Sequence, residues 1–259
     1  MIGETWKTAA VLLVAVAATA PAQTTPGAPS PPPNTLTAAE RAAGWRLLFD
    51  GRTLAGWRGL GRDTVPTAHW VVESGAIKKV KTGVLAERSG GLPPVAGGDL
   101  MTEATFGDFE LSWEWKVTPG ANSGVKYNVS EEFSKARSGY AALGFEYQIL
   151  DDDRHPDAQM DSHRAGALYD LIVPGPGKRL RPVGEWNESR VIFRGNHGEH
   201  WLNGVKVVEY DLGTPRMDSL LAQSKYRTIP GFADRRRGHI VLQDHGDEVH
   251  FRNIKVREL

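Results

Sequence analysis

The chain has 259 residues, of which 31 are basic and 31 acidic, so it carries no net charge at pH 7. Without an excess of positive charge it has no field to concentrate a polyanion, and nucleic acid is not expected as a partner. It contains no cysteine, which excludes disulfides, thiol catalysis and a lipid anchor on an N-terminal cysteine.

The first 36 residues are predicted to precede the folded domain. Lys7, the apolar run 9–18 and the small-residue triplet 20–22 follow the order of a secretory signal peptide, which we assign to residues 1–22. The run is shorter than the about 20 residues of a transmembrane helix, so no membrane span is expected. Residues 23–36 are rich in Pro, Thr and Ser, which predicts a disordered leader. We therefore expect a periplasmic or secreted protein.

Residues 37–259 are predicted to form one all-β domain. Helical signals are confined to Thr37–Ala43, where Thr37 and Glu40 have the spacing of a capping box, and to Pro215–Lys225. Strand signals are numerous and short, and they cover Arg46–Phe49, Trp70–Glu73, Ala76–Val80, Phe109–Val117, Gly124–Val129, Phe145–Leu150, Ala167–Leu171, Glu188–Arg194, Glu199–Leu202, Val205–Tyr210, His239–Gln243 and Glu248–Arg257. This pattern is typical of a jelly-roll β-sandwich of two antiparallel sheets. The Asn203-Gly204 pair between two strands predicts a two-residue hairpin.

The strand over Phe109–Val117 alternates along its whole length. Its apolar residues, which include Trp113 and Trp115, are expected in the core, and its polar residues, which include Glu114, are expected on the opposite face. That polar face is either solvated or continuous with the polar surface of the strand over Phe145–Leu150.

Two strands carry the candidate site. In Phe145–Leu150, Glu146 and Gln148 share one face, while large apolar residues anchor the other. Near the end of a later strand, Gln243 and His245 point away from the core. We expect these four side chains on one sheet surface. The simpler alternatives are a surface ion pair for Glu146 and a turn position for His245.

Nine short blocks resemble, in the same order, the 3-keto-disaccharide hydrolase domain family. They are WRLLFDG at 45–51, LAGW at 54–57, DFEL at 108–111, ANSGVKY at 121–127, FEYQILD at 145–151, GEWN at 184–187, WLNG at 201–204, LQDHG at 242–246 and FRNI at 251–254. The resemblance implies a concanavalin A-like jelly roll whose concave sheet binds sugar, and activity on 3-keto-glycosides. Many members have arginine where Asn128 stands, which puts one substrate contact in doubt.

The residue types favour an elimination over ordinary glycoside hydrolysis. Ordinary glycosidases use two carboxyl groups, and Gln148 cannot supply the second one. In a 3-keto sugar the carbonyl acidifies the C2 proton, so one base suffices to start loss of the C1 substituent. We predict that Glu146 or His245 is that base and that the other acts as an acid. Lys126, Gln243 or a bound divalent cation would stabilise the enolate.

Further substrate contacts are predicted for Asn122, Asn128, Asp151 and Tyr169, together with Gln148. Tyr169 is considered a platform on which a sugar ring could stack, although strand tyrosines are more often core residues. The acidic loop that starts at Asp151 has oxygen and imidazole ligands but the spacing of no defined metal site, so it is expected to be solvated.

Two other functions compete with a hydrolase of oxidised disaccharides. The same fold serves as a carbohydrate-binding module, which would need no catalytic base. An endoglucanase-like hydrolase of unoxidised glycans would need a second acid, for which Glu114 is the candidate.

Overall fold

The strands of the domain form two antiparallel sheets. The computed structural model describes residues 31–83, 98–138 and 141–259. Its strands are β1 (Arg46–Leu47), β2 (Trp57–Gly59), β3 (Trp70–Glu73), β4 (Ala76–Lys79), β5 (Leu100–Thr102), β6 (Phe109–Val117), β7 (Asn122–Val129), β8 (Phe145–Leu150), β9 (Asn187–Arg194), β10 (His197–Leu202), β11 (Val205–Asp211), β12 (His239–Leu242) and β13 (Val249–Glu258). The eight-stranded sheet has the order β11-β10-β9-β6-β13-β4-β3, with β1 also paired to β13, and the five-stranded sheet has the order β2-β5-β12-β7-β8. The predicted jelly-roll sandwich is confirmed.

The helices are α1 (Ala38–Ala42), α2 (Glu131–Ser138) and α3 (Pro215–Gln223). At α1, the Thr37 hydroxyl accepts a hydrogen bond from the Glu40 amide at 3.1 Å, and the Glu40 carboxylate accepts one from the Thr37 amide at 2.7 Å. This reciprocal pair is the predicted capping box. Helix α3 begins after Thr214, whose hydroxyl accepts from the amide of Met217. None of the helices in the described ranges is long and apolar enough to cross a membrane.

The structure lacks one predicted strand and contains two strands and an α-helix that were not predicted. Residues Ala167–Leu171 do not form a strand, because Leu168 makes only isolated bridges to Tyr147 and Ile172. Strands β2 and β5 were not predicted, since three residues are too few to show alternation. Helix α2, between β7 and β8, was not predicted either. The predicted hairpin is confirmed, because Asn203 and Gly204 both have positive φ and connect β10 to β11.

Aromatic side chains fill the space between the two sheets. Trp113 of β6 meets Tyr147 of β8 edge to face, with ring centroids 4.9 Å apart, and Phe109 meets Tyr127 at 6.1 Å. All four rings are almost completely buried. The apolar face of β7 and β8 therefore packs on the eight-stranded sheet, and their polar side chains lie on the opposite face of the five-stranded sheet.

Glu114 does not belong to that opposite face. It lies on β6, in the other sheet, and its carboxylate accepts hydrogen bonds from Arg252 at 2.6 Å and from Asn253. Of the two alternatives for the polar face of β6, the one in which it continues the surface of Glu146 is therefore wrong. For the same reason Glu114 cannot act as a second acid beside Glu146.

The compact unit that contains the domain begins before the predicted boundary at residue 37. It extends from Pro31 to Leu259, and the buried Asn34 donates to the carbonyl of Gly75 and accepts from the amide of Asn253, both at 2.8 Å. Within the predicted leader, Asn34 thus attaches the chain to the domain. The predicted signal peptide, 1–22, and the rest of the leader lie outside the described residues.

A buried ion pair joins the two sheets next to the candidate site. Lys79, at the end of β4, is 0% exposed, and its ammonium lies 2.8 Å from the carboxylate of Asp244, which follows β12. The same carboxylate lies 2.6 Å from His69 and accepts from the amide of Gly246. These contacts fix the backbone on both sides of His245.

Candidate active site

The candidate site lies on the outer face of the five-stranded sheet. In the register of β7 and β8, Lys126 is directly opposite Glu146, and Gly124 is directly opposite Gln148. Residues that pair across two strands share a face, and Asn122 lies two positions farther along β7 on the same face. We call the surface formed by Asn122, Gly124, Lys126, Glu146 and Gln148 the polar face. The prediction that Glu146 and Gln148 share a surface agrees with this register.

Gly124 makes room for the carboxylate of Glu146. A Cβ atom built on Gly124 would lie 3.0 Å from both Cγ and Cδ of Glu146 and closer still to its Oε1. The Glu146 side chain therefore lies flat across the strand at Gly124. Gly124 has no positive φ, so it is the space and not the backbone conformation that favours glycine here.

Lys126 balances the charge of Glu146. Its ammonium lies 3.4 Å from Oε2 of Glu146 and donates to the carbonyl of Ala142 at 3.2 Å. Asp99 lies behind it. Burial raises the pKa of Asp99 to about 7, and Lys126 opposes that rise. Because Glu146 is only 2% exposed, an ionised carboxylate there requires such a partner.

Three buried oxygen atoms around Gly124 have no hydrogen-bond partner among the described residues. They are Oε1 of Glu146, Oε1 of Gln148 and Oε1 of Gln243. The other end of the Gln148 amide is fixed, because its nitrogen donates to Oδ1 of Asn122 at 3.3 Å. Gln243 is held alongside by its backbone amide, which donates to the carbonyl of Gly124 at 2.9 Å. Buried acceptors without donors are costly, so this group is suited to the hydroxyl groups of a sugar.

His245 lies two residues beyond Gln243, at the edge of the polar face. Neither of its ring nitrogens has a hydrogen-bond partner among the described residues, and its ring meets that of His155 edge to face at 5.9 Å. Burial lowers the pKa of His245, and the negative charge of Glu146 is the largest influence against that shift. The two predicted catalytic groups are therefore within electrostatic range of each other, and His245 is neutral at pH 7.

A stacked pair of rings forms one wall of the site. Tyr169 stacks on His163 with centroids 4.2 Å apart, and its hydroxyl donates to Asp157 at 3.1 Å. His163 bridges Asp157 and Asp170, at 2.8 and 3.1 Å. The backbone amide of Tyr169 donates to the carbonyl of Glu146 at 3.0 Å, which attaches this wall to β8.

Lys225 lies over the same tyrosine. Its ammonium is 3.9 Å from the centroid of Tyr169, and the nearby ring of Tyr226 is 5.2 Å away. Removal from water by the surrounding protein lowers the pKa of Lys225. The negative charges of Glu146 and Asp170 oppose this shift. Two groups about 4 Å from one ring centre do not both fit on one face, so His163 and Lys225 cover opposite faces of Tyr169. The ring therefore has no free face for a sugar, and the predicted stacking role does not fit.

One group of side chains near the site has the spacing of metal ligands. Ligand atoms of His155, His245 and Asp247 all lie within 4.8 Å of one another. However, Nδ1 of His155 accepts from the amide of Asp157 at 3.1 Å, which leaves its other nitrogen protonated in the neutral ring. The Asp247 carboxylate accepts a hydrogen bond from the backbone amide of Asn122 at 3.0 Å. A divalent cation would need His155 to break its bond, so these residues do not fit a preformed metal site.

A separate cleft lies elsewhere on the domain and does not have these features. Its volume is about 930 Å³, and it is lined by Asp151, Asp152, Arg154 and Lys178 among others. These charges already pair with one another, Lys178 with Asp152 and Arg154 with Asp151. None of the three residues with unpartnered oxygens, Glu146, Gln148 and Gln243, lines this cleft. We therefore place the site on the polar face.

Known proteins of one family match this chain over most of its length. The 3-keto-alpha-glucoside-1,2-lyase-like domain matches residues 44–257. A curated 3-keto-disaccharide hydrolase from Bacteroides thetaiotaomicron is 39% identical over 237 residues, which cover 84% of this chain and 79% of that protein. The chain belongs to the 3-keto-alpha-glucoside-1,2-lyase-like family. The predicted resemblance is thus confirmed, and the protein is a glycosidase-like hydrolase that acts on carbohydrate.

Two solved structures share its architecture. Both are Parabacteroides distasonis proteins described as candidate glycosyl hydrolases. One has a TM-score of 0.74 and 31% identity, covering 88% of this chain and 99% of its own. The other has a TM-score of 0.63 and 26% identity, covering 83% of this chain and 99% of its own. The sandwich is therefore common to these relatives.

The structure separates the predicted site residues of this family member into two groups. Glu146, Gln148, Gln243, His245, Lys126 and Asn122 gather on or beside the polar face. Asp151 does not, since its carboxylate accepts from Gly120 at 2.7 Å and from Asp153 and organises the loop after β8. Asn128 lies at a bulge of β7 with φ of 56°, and both polar atoms of its buried amide lack partners among the described residues. Asn128 therefore stays a predicted contact.

Sequence reasoning missed Lys225 and Gly124 as parts of the site, and it considered His155 only within the acidic loop that starts at Asp151. Lys225 follows α3, about eighty positions from the polar face in the chain, and no alternation marks it. Gly124 was read only as part of a strand. A signal existed for it, because a glycine inside a strand indicates close approach of another group.

Proposed function

We propose that this protein cleaves 3-keto-glycosides, including 3-keto-disaccharides, by elimination and rehydration across C1 and C2. The supporting observation is the composition of the polar face. The residue that shares a strand face with Glu146 is the amide Gln148, whose nitrogen is bonded to Asn122, so a pair of carboxyl groups is not available on β8. A substrate with an acidified C2 proton needs only one base. The names of the family and of the Bacteroides relative agree with such a substrate.

Glu146 removes the C2 proton in this proposal. It lies beside the ammonium of Lys126 and has one oxygen without a partner among the described residues. Loss of the proton forms an enolate with its charge on O3. The enolate then expels the C1 oxygen, which takes the proton from Glu146, and the C1–C2 enone remains.

His245 completes the reaction by adding water. As a neutral imidazole it accepts a proton from water while the oxygen bonds to C1 of the enone, which returns the charge to O3. The imidazolium then gives its proton to C2. The products are the free alcohol and the 3-keto sugar, with consumption of one water molecule.

The substrate is tested by incubating the purified protein with 3-keto-trehalose, 3-keto-sucrose and their unoxidised parents, with and without chelator. Release of 3-keto-glucose from the oxidised sugars alone would support the proposal. Hydrolysis of the parents would favour a glucanase-like enzyme, and binding without release would favour a carbohydrate-binding module.

The two residue roles are tested separately. Glu146→Gln is expected to abolish both C2 proton exchange and cleavage. His245→Gln is expected to retain elimination and to accumulate the enone, which is followed by its ultraviolet absorbance. Enone accumulation with Glu146→Gln and none with His245→Gln would reverse the assignment.

We also propose that the protein is exported, because residues 1–22 have the order of a signal peptide. Fractionation of producing cells and N-terminal sequencing of the mature chain test this. Recovery in the cytoplasm with an intact N-terminus would contradict it.

A further inference from the structure

Lys225 is the first residue of a short 3₁₀ turn whose backbone is held by hydrogen bonds. The buried Ser224 caps the 3₁₀ turn Lys225–Thr228, and its hydroxyl accepts from the amide of Tyr226 at 3.1 Å. The backbone amide of Lys225 donates to Asp170 at 2.7 Å. Since Asp170 also accepts from His163, the backbone of Lys225 is tied to the wall that Tyr169 and His163 form.

The ammonium of Lys225 is not neutralised by an ion pair within the described parts of the chain. No carboxylate among those residues lies within 4.0 Å of it, and its close neighbour is the face of Tyr169. The side chain reaches solvent, yet the charge of Glu146 still acts on it more strongly than that of any other carboxylate. Lys225 therefore presents an available positive charge at the mouth of the site.

Lys126, the cation that the sequence suggested for the enolate, is less available. Its ammonium is already engaged by Glu146 and by the carbonyl of Ala142, and the residue is only 9% exposed. A cation that neutralises the base in the resting state has less charge left for O3. Its position fits the role of a charge partner for Glu146.

We propose that Lys225 is a catalytic residue that donates a hydrogen bond to O3 of the substrate and stabilises the negative charge that forms there in both enolate steps. This inference rests on the proposed function. Preorganised cations aimed at developing oxyanions contribute strongly to catalysis in enclosed sites. Tyr169 holds the ammonium in place through its ring face. The proton stays on Lys225 throughout, so the elimination and hydration balance as written above.

The test compares Lys225→Met, Lys225→Arg and the wild type in two assays. The first is cleavage of the 3-keto-disaccharide. The second is exchange of the C2 proton of 3-keto-glucose in D₂O, followed by proton NMR, which requires the enolate but no leaving group. Lys206→Met is the matched control, because Lys206 is a surface lysine on β11 that pairs with Glu199 and Glu209.

Lys225→Met is expected to lower kcat in both assays by about 10²–10³-fold, and Lys206→Met to leave both rates unchanged. Lys225→Arg should retain more activity than Lys225→Met. Because the cation must stay protonated, the wild-type rate should fall at alkaline pH, and the arginine variant should move that limb to higher pH. The titratable or charged groups that face Lys225 are Glu146, Lys126, Asp157, Tyr169, Asp170 and Tyr226, and each is present in all variants.

Three results would overturn the inference. Wild-type rates in Lys225→Met would remove any role for the residue. Normal C2 exchange with lost cleavage would show that Lys225 serves the leaving group and not O3. A wild-type protein that leaves 3-keto sugars unchanged would reject the proposed function and the inference with it. Because the wild type is assayed first, this outcome is separated from a failure of the role given to Lys225. Circular dichroism and thermal melting of Lys225→Met guard against loss of fold.

Discussion

Replacing Gly124 by alanine should inactivate the enzyme without unfolding it. The new Cβ would lie 3.0 Å from two carbon atoms of Glu146, whereas such contacts are optimal at about 3.5–4.0 Å. The Glu146 carboxylate must therefore retreat by roughly 0.5–1 Å. A displacement of about 1 Å at a reacting group can reduce the rate about 10²-fold, so we expect a loss of that size in kcat.

The stability of Gly124→Ala should change little. The φ of Gly124 is accessible to alanine, and the end of a flexible side chain can move at small cost. Loss of glycine also removes freedom from the unfolded chain, which stabilises by about 0.4–1 kcal/mol. We expect the free energy of unfolding to stay within about 1 kcal/mol of the wild type. Gly175→Ala is the control, since its Cβ would meet the carbonyl of Val207 at an ordinary 3.4 Å.

The assay measures kcat on the carbohydrate that the wild type cleaves, together with urea denaturation of each variant. If Gly124→Ala acts only through Glu146, the double variant with Glu146→Gln should be no slower than Glu146→Gln alone. Normal kcat in Gly124→Ala would refute the position given to the carboxylate. Additive losses in the double variant would show that Gly124 acts through something else.

Three further predictions concern catalysis and stability. Glu146→Gln should lower kcat by about 10²–10⁴-fold while the fold is retained; a normal rate would reject its role as base. Lys79→Met leaves Asp244 buried beside His69 alone and should cost about 3–5 kcal/mol in urea denaturation, whereas a loss below about 1 kcal/mol would show that the pair is unimportant. Burial lowers the pKa of His200 from 6.5 to about 4. The contribution of its neutral ring to the free energy of unfolding is therefore complete above pH 6.5 and is lost as the pH falls toward 4. The stability of the wild type relative to His200→Gln should thus fall by about 3 kcal/mol between pH 7 and pH 4; a pH-independent difference would contradict this.

Alternation along strands was sufficient to predict much of the architecture. Strands such as β6 and β8 have the predicted bounds, because large apolar residues at every second position permit only one register toward the core. Alternation gives the face of a residue but not its sheet. Glu114 and Glu146 both lie on polar strand faces, yet these faces belong to different sheets.

The parts of the site that come from loops could not be predicted in the same way. Asp151 continues the polar strand in sequence, but the chain turns there and its carboxylate caps the turn through Gly120. Lys225 and Tyr169 meet only because the segments after α3 and β8 fold over the same edge of the sheet. Such long-range placement depends on the tertiary fold and leaves no periodic pattern.

The attachment of Asn34 has a practical consequence for anyone producing the domain. Its side chain bridges the turn at Gly75 and the irregular backbone at Asn253, so it closes two loops with one amide. A recombinant protein trimmed to start at residue 37 would lack both hydrogen bonds of the Asn34 side chain. The backbone amide of Asn253 would then have lost its acceptor. An expression boundary at or before Pro31, with any affinity tag upstream of it, would preserve these two hydrogen bonds.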